Sequence, residues 1–200
     1  GADNVFAVDM DGDGDMDVLS SSHEDNRIML YKNDGNENFT PQTITAAANY
    51  PWSVYAADMD ADGDMDILSA SQHGDKITWY ENDGSENFAD HTISITADGA
   101  FRVYAADVDS DGDMDVLSAS PYDNKIAWYE NNGSQAFTSH AISTTATFAT
   151  SVVATDMDGD GDMDVLSTST NDNKITWHEN DGGQNFTEQI VSSTTVAPRD

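Results

Sequence analysis

The chain contains no cysteine, so no disulfide and no thiolate contributes to its fold or to a metal site, and the redox compartment stays open. Basic residues are scarce: Lys+Arg total 7 against 38 Asp+Glu, a formal net charge of −31. Such a surface repels nucleic acid and anionic membranes, but not neutral sugars or cationic partners. No run of about 18 apolar residues occurs, so no membrane-spanning helix is expected. No signal peptide is present, as in any mature or trimmed chain. Helical periodicity is missing as well. A length of 200 residues suits one domain or one block of repeats.

What the chain has is a nine-residue acidic loop, four times. It reads DMDGDGDMD from Asp9, DMDADGDMD from Asp58, DVDSDGDMD from Asp107 and DMDGDGDMD from Asp156. The intervals 58 − 9, 107 − 58 and 156 − 107 all equal 49. Carboxylates packed at every second position repel one another unless a cation sits among them. Calcium takes six to eight oxygen ligands at roughly 2.3–2.6 Å in a flexible shell, which such a loop can supply. The glycine at position six permits the positive φ of a tight turn. The opening D-x-D-x-D-G follows EF-hand logic. The loop nevertheless lacks a glutamate at position twelve and runs into a β-like Val18-Leu19-Ser20, so it is not an EF-hand. Magnesium, with its strict octahedron, and zinc, with its taste for His and Cys, fit less well.

Each repeat offers four short strand-like pieces. One apolar stretch precedes the loop (Val5–Val8, Val54–Ala57, Val103–Ala106, Val152–Thr155) and another follows it. A third begins with a basic residue, at Arg27, Lys76, Lys125 and Lys174, and a fourth at Phe39, Phe88, Phe137 and Phe186. Asn-Asp-Gly or Asn-Asn-Gly turns separate the third from the fourth, which is hairpin chemistry. Four antiparallel strands every 40–50 residues predict an all-β fold, a β-propeller of four-stranded blades. The predicted blades run over about 4–48, 53–97, 102–146 and 151–197, as one repeat domain over 1–200. A parallel β-helix has a far shorter period. Ala7, Ala56, Ala105 and Ala154 suit the crowded innermost strand, while Ile28, Ile77, Ile126, Ile175 and the four Phe suit packing between blades.

The unit A-x-D-x-D-x-D-G-D-x-D-V-L-S, followed by K-I-x-W-Y-E-N-D-G and F, resembles the FG-GAP-like (VCBS) repeat over residues 4 to about 195. It is similar to the calcium-binding blades of integrin α-subunits and of secreted lectins. The resemblance implies a calcium loop between the first and second strands of each blade. Side chains at positions 1, 3, 5 and 9 and the carbonyl at position 7 would hold the ion. The implied ligands are Asp9, Asp11, Asp13, Asp15 and Asp17; Asp58, Asp60, Asp62, Asp64 and Asp66; Asp107, Asp109, Asp111, Asp113 and Asp115; and Asp156, Asp158, Asp160, Asp162 and Asp164. That makes about one Ca²⁺ per repeat. Family propellers usually have seven blades. Three arrangements therefore stay open for four repeats: a closed four-bladed ring, a homodimer completing an eight-bladed ring, or a segment of a longer protein. The chain begins on a first strand and ends after a fourth, so closure would rest on face packing.

No catalytic constellation emerges. His23, His73, His91, His140 and His178 share no repeat position with a nucleophile motif, and no isolated carboxylate pair of the glycosidase kind stands out. The expectation is a non-enzyme, with a polysaccharide lyase propeller as a minor alternative. Trp79, Trp128 and Trp177 are equivalent, and Leu30 fills their slot in the first repeat, which points to packing rather than sugar stacking. Trp52 and Phe101 occupy a linker position before the first strand, with Asp3 and Thr150 as equivalents, and are the candidate ligand residues. The reading is a secreted or cell-surface calcium-stabilised module whose partner is a glycan or an extracellular protein. The alternative is a structural or adhesive repeat segment.

Overall fold

The computed structural model describes residues 1–194 and 196–198. Sixteen strands form four antiparallel sheets of four, each ordered as in the chain. The first holds β1 (Asn4–Val8), β2 (Asp17–Ser22), β3 (Arg27–Asn33) and β4 (Phe39–Thr45). The second holds β5 (Pro51–Ala57), β6 (Asp66–Ser71), β7 (Lys76–Asn82) and β8 (Phe88–Ser94). The third holds β9 (Arg102–Ala106), β10 (Asp115–Ser120), β11 (Lys125–Asn131) and β12 (Phe137–Ser143). The fourth holds β13 (Ala149–Thr155), β14 (Asp164–Ser169), β15 (Lys174–Asn180) and β16 (Phe186–Ser192). Among the described residues, no helix is long and apolar enough to cross a membrane.

Period-two alternation sorts each sheet into two faces. On one face stand the equivalents of Leu19, Ile28 and Leu30; on the other stand those of Val54, Ile67 and Tyr80. The first face of one sheet packs on the second face of the next. Leu19, Ile28 and Leu30 of sheet 1 thus share a core with Val54, Ala56, Ile67 and Tyr80 of sheet 2. Leu68, Ile77 and Trp79 meet Val103, Val116 and Tyr129. Leu117, Ile126 and Trp128 meet Val152 and Val165. Phe88, Phe137 and Phe186 each pack against the interface that their sheet makes with the preceding one.

The innermost strands β1, β5, β9 and β13 follow one another in contact. Phe6, Tyr55 and Tyr104 follow one another along them as tilted rings, with centroids 4.7 and 4.9 Å apart. Together with Val5 and Val153 these rings border one small cavity, where residues of all four of these strands meet. Extensive contacts run from sheet 1 to 2, 2 to 3 and 3 to 4; none of comparable extent joins 4 to 1 among the described residues. The faces at the two ends are correspondingly bare. Val5 is 65 % and Phe39 49 % exposed on sheet 1, and Leu166, Ile175 and Trp177 are only half-buried on sheet 4.

Candidate metal centres and an aromatic cluster

Each aspartate loop joins the first and second strands of its sheet. Local hydrogen bonds wind it. In the first, the Asp13 N–H donates to Asp11 Oδ1 (3.3 Å), the Asp15 N–H to Asp13 Oδ1 (2.8 Å) and the Gly14 N–H to Asp9 Oδ2 (2.9 Å). Gly14 and its equivalents Gly63, Gly112 and Gly161 hold φ between 95° and 101°, which excludes most side chains. The winding brings carboxylates together. Oxygens of Asp9, Asp11 and Asp13 lie within 4.8 Å of one another, as do those of Asp58, Asp60 and Asp62. The same holds for Asp107, Asp109 and Asp115, and for Asp156, Asp158 and Asp164.

Position nine is buried to 0 % exposure in all four loops, at Asp17, Asp66, Asp115 and Asp164. Its two oxygens each accept a main-chain N–H: for Asp66, from Met59 (3.0 Å) and Asn82 (2.7 Å). This carboxylate ties the second residue of the loop to the end of the third strand, and in the third and fourth loops it joins the carboxylate cluster. Burial pushes Asp66 and Asp115 up to about 6. Burial, then the neighbouring aspartate, also raises Asp11, Asp60 and Asp109. Position seven is different. Asp15 Oδ2 lies where a Cβ on Gly35 would stand (2.3 Å), and Asp64, Asp113 and Asp162 lie likewise against Gly84, Gly133 and Gly182. These four side chains lean on the turn between the third and fourth strands, Asn-Asp-Gly in three repeats and Asn-Asn-Gly in the third, leaving the backbone carbonyl as the group this position can offer.

The donor set fits a hard cation. All donors are oxygen, Lys32 beside the first loop is paired with Glu86, and Asp9 Oδ1 is buried without a hydrogen-bond partner. Calcium is the ion whose loose, all-oxygen shell matches such loops.

Trp52 lies inside β5, not in a linker as the sequence led us to expect, because the strand starts at Pro51. Phe101 does precede its strand, β9. Both are half-buried, and their rings come within 5.0 Å of each other. Trp52 stacks on His23 (4.8 Å, 20°) and donates its indole N–H to Gln72 Oε1 (2.9 Å). Tyr50 stacks on His73 (3.9 Å) and meets His23 at 4.4 Å. This cluster sits at the end of the sheets opposite the aspartate loops, since Trp52 opens the strand that ends at the second loop. Trp79 and Trp128 are 1 % exposed between sheets, each covered on its outer side by His91 or His140, at 4.7 Å. His140 Nε2 in turn bonds Glu130 (2.7 Å).

Sequence reasoning missed one set of residues. Asn131 Nδ2 donates to Met114 O of its own loop and to Met59 O of the preceding sheet's loop. Asn180 does the same to Met163 O and Val108 O. The signal was there: Asn stands at 33, 82, 131 and 180, in every repeat; its Oδ1 accepts the glycine N–H of the turn, which leaves the amide Nδ2 to donate elsewhere.

A model of the FG-GAP-like repeat matches residues 9–69, 58–118, 107–167 and 156–199. No curated protein matches the sequence. Among solved structures, a lectin from Agrocybe aegerita, described as recognising non-reducing terminal N-acetylglucosamine, is similar (TM-score 0.65, 18 % identity). It is matched over 95 % of this chain and 52 % of its own. Virginiamycin B lyase from Staphylococcus aureus is similar over 100 % of this chain and 58 % of its own (TM-score 0.69, 11 % identity). The periplasmic gluconolactonase of Pseudomonas aeruginosa matches over 97 % and 55 % (TM-score 0.61, 14 % identity). The chain thus spans little more than half the length of these proteins, and at such identities the likeness is one of fold.

Proposed function

This chain belongs to the FG-GAP-like repeat family, and we propose that it is a calcium-stabilised β-propeller module, secreted or at the cell surface, that binds a glycan rather than catalysing a reaction. Four all-oxygen loops of the same build suit the millimolar calcium outside cells. Each would take one ion, held by the side chains of positions 1, 3, 5 and 9 and the carbonyl of position 7. With four ions bound, −31 + 8 leaves about −23, which still favours neutral or cationic partners.

The observation that carries the glycan reading is the pairing of Trp52 and Phe101 from adjacent sheets, half-exposed, with Gln72, His23 and Tyr50 around them. An apolar platform beside a few polar groups is the usual build of a small-ligand site. A glycan array with and without calcium tests it. Binding that needs calcium and is lost in Trp52→Ala supports the reading; no binder in saturating calcium would move the function to a structural or adhesive segment.

The bare end faces favour that second reading. Val5 and Phe39 on sheet 1 and Leu166 and Trp177 on sheet 4 are equivalents of residues that form the three internal interfaces. Further repeats or a second copy completing an eight-bladed ring would cover them. A solution mass near 21.6 kDa by light scattering would exclude the dimer.

A further inference from the structure

The turn between the third and fourth strands carries an acidic or amide residue in a backbone state that costs it energy. Glu37, Glu86, Gln135 and Gln184 are equivalent and have φ of 64°, 59°, 62° and 63°. Glycine alone adopts this state without penalty, yet all four repeats keep a long polar side chain there. The side chain crosses to the preceding sheet. Gln184 Nε2 reaches Asp109 Oδ2 at 3.1 Å, and Gln135 Nε2 reaches Asp60 Oδ2 at 3.5 Å. Asp60 and Gln135 also border one cavity, together with Asp113 and Asn131. Glu86, in the same place relative to loop one, ion-pairs with Lys32 of sheet 1.

The charges follow a rule. The position of Lys32 is Glu in the later repeats, at Glu81, Glu130 and Glu179. Where the preceding sheet offers Lys32, the turn residue is Glu86. Where it offers Glu81 or Glu130, the turn residue is the uncharged Gln135 or Gln184. A carboxylate there would join Glu81 and Asp60, or Glu130 and Asp109, with no lysine in the place of Lys32 and only His91 or His140 on the glutamate.

We infer that Glu86, Gln135 and Gln184 brace the metal loop of the preceding sheet, so that ion binding at the first three loops is coupled to the packing of neighbouring sheets. The fourth loop has no such residue among the described ones: Asp156 and Asp158 are exposed, whereas Asp107 and Asp109 are half-buried. It is the weakest of the four sites. Gln135 and Gln184 act by positioning the aspartate at position three, and Glu86 by holding Lys32 beside Asp11; none of them replaces a ligand. The inference rests on the calcium reading given above.

Calcium titration of stripped protein by calorimetry, with the thermal midpoint in EGTA alongside, provides the test. Wild type shows more than one affinity class. Gln135→Ala weakens one site about three- to tenfold, the scale of one hydrogen bond to a charged group in a partly exposed setting. Its midpoint in EGTA barely moves, and the change adds nothing in an Asp60→Ala background. Lys32→Glu weakens the first site, and Glu86→Gln added to it restores affinity. In a sample shown to be monomeric, Glu37→Gln leaves the isotherm unchanged, because the sheet that carries Glu37 makes no extensive contact with sheet 4 within the chain. An unchanged isotherm for Gln135→Ala, failure of Glu86→Gln to restore binding, or a weakened site in Glu37→Gln overturns the brace while calcium binding by wild type stands. Wild type that binds no calcium overturns both.

Discussion

Sheets 3 and 4 carry nearly the same sequence and meet different surroundings. Leu117, Ile126 and Trp128 are buried to 1 % exposure or less, whereas their equivalents Leu166, Ile175 and Trp177 are half-buried. Nothing in strand propensity separates them. What differs is the next sheet: Trp128 meets Phe186 across an interface, with ring centroids 6.4 Å apart, and among the described residues no further sheet packs on Trp177. Core formation in a repeat array is a nearest-neighbour property, and one residue type contributes according to its place in the row.

The sharpest test of that difference is a pair of truncations. Trp128→Ala should cost about 3–5 kcal/mol, as large-to-small core changes do. Trp177→Ala should cost less than half as much by chemical denaturation. Equal losses would mean that the sheet 4 face is covered in solution, and a concentration-dependent midpoint would then point to a second copy.

Sheet 4 also differs by His178, which stands where sheets 2 and 3 have Tyr80 and Tyr129. His178 is 2 % exposed, bonds Ser167 Oγ at 2.9 Å, and is driven down to about 4 by burial. Below 6.5 the unfolded state takes up a proton that the folded state refuses, so stability present above 6.5 is lost as pH falls towards 4. The full loss is about 3 kcal/mol. His178→Tyr should flatten this acid slope relative to wild type, measured as unfolding free energy at pH 7 and pH 4.5. Parallel slopes would show that His178 is solvated. Comparing the two proteins cancels Asp66 and Asp115, whose raised values act in the opposite direction.

Within one loop, positions nine and seven contrast in the same way. In saturating calcium, Asp66→Ala strands two buried N–H donors and removes a ligand side chain, costing about 2 kcal/mol or more. Asp64→Asn should cost under about 0.5 kcal/mol, because that side chain only leans on Gly84. Equal damage in thermal melts would reverse the roles of the two positions. Trp52→Ala should cost less than Trp128→Ala, because Trp52 is only half-buried, while removing glycan binding. A large destabilisation with binding intact would make Trp52 a packing residue.

The loops, the period and the four strands per repeat were legible because each is encoded locally: aspartates at alternate positions, a glycine at position six, an Asn-Asp-Gly turn. The ligand role of each loop position was read from a resemblance, and the structure adds that the side chain of position seven turns away and that position nine ties the loop to the third strand. What the sequence hid lies between repeats. Gln135 and Asp60 are 75 positions apart, a separation no local pattern announces. The Lys32–Glu86 pair shows itself only when the repeats are aligned on one another. Trp52 was misplaced because β5 and β13 start earlier than β1 and β9, with irregular register at Pro51/Ser53 and Ala149/Ser151.

The account depends first on the ion. Five acids in each loop, several with raised affinity for protons, make the metal-free chain self-repulsive, and an ion that binds only the folded state stabilises it by mass action. The direct measurement is the thermal midpoint of thoroughly stripped protein in EGTA, then in millimolar calcium and in millimolar magnesium. The account predicts a midpoint that rises strongly with calcium and only weakly with magnesium. A midpoint indifferent to calcium would contradict it.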